Sequence, residues 1–302
     1  MDNVDADSEK KINKYISNMP SLSTTISMVL KVCNSPETTA IDLNRVISLD
    51  PVLTGNVLKL INSAFYSMRD HVTSLTKAII MLGMNTIKNL AISTAILGTL
   101  SKAKSVKSAS VDMFWEHSIT VGTAAKIIAS IPELGLKNKD EFFVAGLLHD
   151  IGKIPLINCF SDKYAMVEKA IIEDGAEVIR AENKFLNINH SQVGKKVAGK
   201  WGIEGAIYET ICFHHFPFTS DADNTKVVQI IALADIFAKT LEKKISNELT
   251  EEPEIVFNLN DSLLINMLDK MDIKYDSLAD IEGTIIGELE KAKEFLHIAQ
   301  KG

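Results

Sequence analysis

Cysteine is scarce in this sequence: three among 302 residues, with no two of them close neighbours. Cys33, Cys159 and Cys212 therefore support neither a disulfide framework nor a cysteine zinc knuckle, and they read as small buried hydrophobes. Cationic excess is missing too. Lys and Arg number 32 against 39 Asp and Glu, a net charge of −7, and the basic run Lys102 to Lys107 is short. Nonspecific affinity for nucleic acid comes from clustered Lys and Arg, so no nucleic-acid partner is expected. Long apolar runs are also lacking, since Ala91–Leu100 and Phe142–Leu148 fall short of the roughly 18 residues that a bilayer span needs. The first residues, with Asp2, Asp5, Asp7 and Glu9, have the wrong sign for a secretory signal and lead into no apolar core. Neither a membrane partner nor export is expected, and the chain reads as cytoplasmic.

What is present is a hydrophobic share of 46%, enough to fill the core of one large or two ordinary domains. Apolar residues recur at three- and four-residue spacing through nearly every segment, while strand-like alternation is hard to find, so the fold class is all-α. Thr39 with Asp42 makes a capping-box pattern, Asp50 before Pro51 suits an N-cap and first turn, and Gly83 suits a helix stop. Residues 1–14 read as a flexible N-terminus, 15–105 as a first helical lobe, 106–245 as a second lobe, and 246–302 as C-terminal helices packing on the domain. The boundaries rest on the Lys- and Ser-rich stretch Ser101–Ser110 and on the polar, acidic stretch Lys243–Glu254, which contains Pro253. The amphipathic segments Leu263–Met271 and Leu278–Ile298 read as covers for their own core, with partner binding as the alternative.

The sharpest local signal is Gly146-Leu147-Leu148-His149-Asp150-Ile151-Gly152-Lys153, where His and Asp stand on an otherwise apolar helix. A buried carboxylate loses several kcal/mol of solvation unless it is paired or metal-bound, and a neighbouring imidazole can supply a second ligand. A plain His–Asp hydrogen bond at a helix end is the competing explanation. The other histidines shift the balance: His117, His190, His214 and His215 join His149 between residues 117 and 215. Asp235 lies in Ile230-Ile231-Ala232-Leu233-Ala234-Asp235-Ile236-Phe237. Aspartate is a poor helix former and is seldom buried unpaired, so a cation, a metal or an N-cap role has to account for it there.

His117, then His149-Asp150, then Asp235 resembles the pattern of the HD superfamily. The resemblance implies that these four residues hold a divalent metal, as in HD phosphohydrolases. His190, His214 and His215 follow in the order of the extra ligands of two-metal HD-GYP phosphodiesterases, and Lys153 matches the lysine of the HDxGK motif. After His214-His215 comes Phe216-Pro217-Phe218-Thr219 rather than Gly-Tyr-Pro, a departure that speaks against cyclic di-GMP hydrolysis. Met19-Pro20-Ser21-Leu22, Asp50-Pro51-Val52-Leu53, Asn62-Ser63-Ala64-Phe65-Tyr66 and Ala78-Ile79 through Leu82-Gly83 are similar to hallmarks of the narrower HDOD (HD-related output domain) family. So are Trp115–Ser118, Gly146–Lys153 and His190–Trp201, all in family order, and the resemblance spans residues 15 to 240. It implies a two-lobed helical fold with an HD-like second lobe and a regulatory role in bacterial signalling.

Three functions follow as expectations. The first is a signal-transduction output module that binds a signalling protein or a small phosphorylated ligand and keeps a metal in its HD pocket. The alternative is a metal-dependent phosphohydrolase or phosphodiesterase, with Asp150 and Lys153 as its catalytic residues and metal held by His117, His149, Asp150, His190, His214, His215 and Asp235. The third is a metal-free hydrogen-bond network that fixes helix packing. Mixed imidazole and carboxylate ligation suits iron or manganese, with zinc or nickel also compatible, better than calcium.

Overall fold

Helix ends fall where the backbone finds side-chain partners. Thr39 accepts a hydrogen bond from the Asp42 amide while the Asp42 side chain accepts from the Thr39 amide, which closes a capping box before Ala40. Asp50 accepts from the Leu53 amide at 2.9 Å ahead of Pro51. Gly83 ends its helix with φ of +86°, a conformation that costs glycine little. The computed structural model describes residues 6–33, 37–102, 109–220, 224–246 and 262–301, and every regular element among them is helical.

The first lobe contains α1 (Ala6–Asn18), α2 (Thr24–Cys33), α3 (Ala40–Ile47), α4 (Pro51–Ile61), α5 (Leu75–Leu82) and α6 (Met84–Lys102). The second contains α7 (Ala109–Ile128), a 3-10 turn (Pro132–Leu134), α8 (Lys139–Leu148), α9 (Lys153–Cys159), α10 (Ser161–Asp174), α11 (Val178–Leu186), α12 (His190–Trp201), α13 (Gly205–Phe213) and α14 (Thr225–Ser246). The tail is α15 (Ser262–Met271), α16 (Tyr275–Asp280) and α17 (Glu282–Gln300).

The expectation of a flexible start through residue 14 is corrected over residues 6–14. Helix α1 begins at Ala6 and Ile12 is fully buried. The second lobe clamps this helix: Lys196 reaches Glu9 at 2.7 Å, Lys200 donates to the Ile16 carbonyl at 2.6 Å, and the Trp201 indole donates to the Pro20 carbonyl at 3.1 Å. Of the expected connector Ser101–Ser110, residues 103–108 lie outside the described residues. So do residues 247–254 of the polar stretch after the second lobe, while Lys243–Ser246 still belong to α14.

The lobes share one seam. Phe295 of α17 packs on Phe65 of the first lobe and Phe143 of the second, with ring centroids 5.1 and 4.9 Å away, so the last helix covers the core where the lobes meet. At the start of α8, Asp140 accepts from Tyr66 at 3.3 Å and Thr86 at 2.9 Å and pairs with Lys126 at 2.9 Å. By composition Lys139–Cys159 is long and apolar enough to cross a membrane, but 83% of that window is buried inside the fold. Its hydropathy is that of a core, and a turn at His149–Gly152 breaks it into α8 and α9.

Helices α7 and α8 cross at a pair of glycines. A Cβ added to Gly146 would stand 2.8 Å from the Gly122 Cα, and one added to Gly122 would stand 2.8 Å from the Phe143 carbonyl oxygen. Only hydrogen at both positions lets the two backbones approach this closely, and the crossing sets how far His117 on α7 stands from His149 at the end of α8. Gly146→Ala gains about 1 kcal/mol of helix propensity against an overpacking cost of about 1–3 kcal/mol between backbones that cannot yield. The variant is expected to lose up to about 2 kcal/mol in urea unfolding. Unchanged stability would mean that the crossing tolerates a methyl group.

Candidate metal centre

The sequence alone places His149 and Asp150 on an apolar helix; in the fold they occupy the tight turn after it, between α8 and α9. Gly152 explains how that turn meets α12. A Cβ there would stand 1.9 Å from the His190 carbonyl oxygen and 2.5 Å from the Gly194 amide nitrogen. Its φ of −69° is ordinary, so the glycine is needed for space rather than for conformational freedom. That close approach carries His190, the first residue of α12, against Asp150. His117 lies in the middle of α7, and Asp235 lies ten residues into α14, which rules out an N-cap role.

All seven singled-out ligand candidates converge, and Asp150 stands between two groups of them. Its Oδ2 faces His149 Nε2 at 3.3 Å and His117 Nε2 at 3.8 Å, and Asp235 Oδ1 lies 3.1 Å from that same His117 nitrogen. Its Oδ1 faces His190 Nε2 at 3.0 Å and His214 Nε2 at 3.5 Å, and His215 Nε2 lies 3.0 Å from His190 Nε2. Within each group, His117–His149–Asp150 and Asp150–His190–His214–His215, one ligand atom per residue lies within 4.8 Å of the others.

The outward ring nitrogens settle which way the imidazoles present themselves. His149 Nδ1 faces the Gly146 carbonyl at 2.6 Å and His214 Nδ1 the Thr210 carbonyl at 2.9 Å. A carbonyl can only accept, so each Nδ1 carries a proton and each ring turns its Nε2 inward. His117 Nδ1 faces Glu242 Oε1 at 2.8 Å and His190 Nδ1 faces Glu182 Oε2 at 2.7 Å, which completes four orienting contacts of the kind metal-ligating histidines make. Inward, His117 Nε2, His149 Nε2, Asp150 Oδ1 and Asp235 Oδ1 are buried without a hydrogen-bond partner. Carboxylate oxygens and imidazole nitrogens buried with only one another for company are costly, and a cation coordinated by them would remove the cost, so the donor set fits a divalent metal.

Lysines flank both aspartates: Lys153 is 2.5 Å from Asp150 Oδ2, the oxygen that also faces His149 and His117, and Lys239 is 2.7 Å from Asp235 Oδ2. Burial opposes the charge on Asp150, yet His149, Lys153 and His190 hold its carboxyl well below the usual range. Burial likewise opposes charge on Asp235, and Lys239 with His117 holds it low. Against the same burial, Asp235 and Glu242 raise His117 to about 9, and Glu182 and Asp150 raise His190 to about 9. His214 goes the other way, pushed down to about 4 by burial and its histidine neighbours. Burial, His214 and His190 also hold His215 well below its usual value.

Glu182, Lys239 and Glu242 escape a reading that looks for His and Asp alone, but each left a trace. Glu182 shares the four-residue register of Val178 and Leu186, so it stands on the buried stripe of α11. Lys239 and Glu242 follow Asp235 by four and seven residues, one and two turns along the same face of α14.

A helical lobe in which a histidine, a His-Asp turn and a distant aspartate converge is the architecture of the HD superfamily. The HDOD domain profile matches residues 19–217, and the chain belongs to the HDOD family. The match stops short of Asp235, Lys239 and Glu242. An uncharacterized protein of Treponema pallidum (strain Nichols) is 20% identical over 227 residues, 75% of this chain and 43% of that protein. The chain thus spans less than half the length of that curated relative. Among solved structures, an HDOD domain protein of unknown function from Geobacter sulfurreducens is 24% identical with a TM-score of 0.70, covering 95% of this chain and 97% of that one. A candidate phosphohydrolase from Shewanella amazonensis SB2B is 25% identical with a TM-score of 0.68, covering 95% and 98%. A candidate signal transduction protein from Marinobacter aquaeolei VT8 is 18% identical with a TM-score of 0.72, covering 99% and 67%.

For metal-free protein the histidine shifts predict a stability optimum near the ordinary histidine value. His117 and His190 titrate at about 9 when folded, so their contribution is complete below the unfolded pKa of about 6.5 and is lost as pH rises through 9. His214 titrates at about 4 when folded, so the unfolded chain binds its proton first and stability falls as pH drops from about 6.5 towards 4. Thermal unfolding with chelator present should therefore give its highest midpoint near pH 6.5. A midpoint that rises steadily from pH 6.5 to 9 would show that the histidine–carboxylate pairs do not stabilise the fold.

Proposed function

We propose that this protein is a signal-transduction output module of the HDOD type whose second lobe holds divalent metal. The observation that carries the reading is the position of Asp150: its two oxygens point into two histidine groups, the arrangement of a carboxylate shared by two cations. Imidazole and carboxylate donors together favour iron or manganese. Four carboxylates (Asp150, Asp235, Glu182, Glu242) stand against two ammonium groups (Lys153, Lys239) in or beside the cluster. One divalent cation therefore neutralises it, and a second leaves it positive, the sign that attracts a phosphate group. The same reading gives the module a signalling protein or a small phosphorylated compound as partner, and a place in the cytoplasm.

A second reading, metal-dependent phosphohydrolase, is favoured by that two-cation arrangement. Cations in such a site supply activated water and polarise a phosphoryl oxygen. Asp150 would hold both in register, and Lys153, 16% exposed beside it, would meet charge developing on the phosphoryl group. The chain's departure from Gly-Tyr-Pro after His215 leaves cyclic di-GMP outside this reading, and the candidate substrates are nucleotides and other phosphate esters.

Protein purified without chelator is expected to carry close to two equivalents of iron or manganese, with a raised thermal midpoint on manganese addition. Asp150→Ala should cost more metal affinity than the roughly 10–100-fold that an outer-shell change costs, because it removes a donor from both groups. No bound ion and no thermal shift would favour the metal-free packing network. Turnover of a phosphate ester that is lost in Asp150→Ala selects the hydrolase. Bound metal without turnover, together with capture of a kinase, receiver or diguanylate cyclase, selects the module.

A further inference from the structure

Helix α12 begins at His190, and the first amides of a helix have no partners inside it. Asn189 and Gln192 close a capping box around that start, and a third group comes from another helix. Glu182 Oε2 accepts from the His190 amide at 2.8 Å and faces His190 Nδ1 at 2.7 Å. Glu182 and His190 are both 0% exposed. Beside Glu182 lies Tyr164, 5% exposed, whose hydroxyl is held well above its usual pKa by burial and by the Glu182 carboxylate.

A cap alone does not require this arrangement. Serine, threonine or asparagine satisfies a helix N-terminus without bringing a charge into the core, whereas a fully buried carboxylate needs a cation to offset its lost hydration. By binding both the backbone and the ring of one residue, Glu182 fixes the rotamer of His190 as well as its protonated nitrogen. The consequence is directional. His190 Nε2 is turned inward, 3.0 Å from Asp150 Oδ1, 3.3 Å from His214 Nε2 and 3.0 Å from His215 Nε2. Three imidazole nitrogens and one carboxylate oxygen at such distances repel one another unless a cation or proton lies among them. The opposite group has its own orienting acid, Glu242 on His117, and that acid is 44% exposed.

We propose that Glu182 is a positioning residue that sets the cation affinity of the His190–His214–His215 half of the centre, independently of the His117–His149–Asp235 half. The inference rests on the reading of the cluster as a metal site and adds to it that the two halves are separately tuned. The fully buried Glu182, bound to both the backbone and the ring of His190, makes its half the tighter one. Glu242, open to water and screened, supports its half less.

The test is manganese binding to the full chain by calorimetry and by electron paramagnetic resonance, where two neighbouring ions give a spin-coupled signal. Each variant's thermal midpoint is also measured against its own metal-free form. Wild type should bind two ions in two steps. Glu182→Gln keeps the shape of the acid and an oxygen that can accept from His190. It should lose about 10–100-fold in one of the two steps, with the coupled signal weakened, while the other step stays within about twofold. Asp235→Asn should weaken the other step instead. Should Glu182→Gln fail to fold, Tyr164→Phe, which leaves the acid in place and removes only the hydroxyl beside it, should lose affinity in the same step. A purely structural cap would lower the metal-free midpoint and leave both affinities unchanged, and that result overturns the proposal. Equal losses in both steps overturn the independence of the halves. Wild type that binds no manganese overturns the metal reading itself, and so is distinct from a Glu182 variant that binds like wild type.

Discussion

A carboxylate at 2% exposure, held between two groups of histidines, is the constraint around which the second lobe is arranged. Asp150 cannot be left there unpaired, because an isolated buried charge costs several kcal/mol even after the surroundings relax. Lys153 pairs with Oδ2, the oxygen that also faces His149 and His117, while Oδ1 faces His190 and His214, whose outward nitrogens are committed to the carboxylate of Glu182 and the carbonyl of Thr210. The outward contacts turn four Nε2 atoms toward the two aspartates, a donor set that fits a cation.

Backbone proximity makes that convergence attainable. The ligands come from α7, the α8–α9 turn, α12, the end of α13 and α14, and helices at ordinary spacing of 8–10 Å would hold some of their side chains apart. Two glycine contacts shorten the gaps. Gly122 against Gly146 draws α7 onto α8, and Gly152 against the His190 carbonyl draws the start of α12 onto the His-Asp turn. Both glycines of the Gly146–Lys153 segment are therefore explained by steric room, and the motif reads as a packing device for the two residues it encloses. Around it the aliphatic core supplies stiffness, since close-packed side chains leave little freedom for the ligands to drift.

The fold class was legible because hydrophobic spacing and capping chemistry are local: Thr39, Asp50 and Gly83 act within four residues of themselves, and each does what its neighbours imply. Site membership was legible because histidine and aspartate in apolar surroundings are rare enough to stand out. Position was not. His149 and Asp150 have helix-forming neighbours on both sides, and only the contact of Gly152 with α12, 38 residues further on, makes a turn there necessary. The helical N-terminus escaped for the same reason, because acidic residues at 2, 5, 7 and 9 look solvated until Lys196 and Trp201 are known to lie alongside. Glu182 escaped because a glutamate in a polar helix is ordinary unless its register with Val178 and Leu186 is checked.

Helix α8 joins the contact between the lobes to the histidine cluster. Its first turn holds Asp140, where Tyr66 and Thr86 of the first lobe meet Lys126 of the second, and its last turn leads into His149 and Asp150. Ten residues of helix span about 15 Å with no internal hinge, and seven of the ten are buried. Such a rod cannot shift at one end without shifting at the other. The Asn62–Thr73 segment, whose Asn62 side chain bonds the backbone of Leu58 and Val72, is correspondingly fixed against Asp140 through Tyr66. The contact between the lobes and the histidine cluster are thus mechanically continuous through a single buried helix, with the Asp140 carboxylate at one end and the Asp150 carboxylate just past the other.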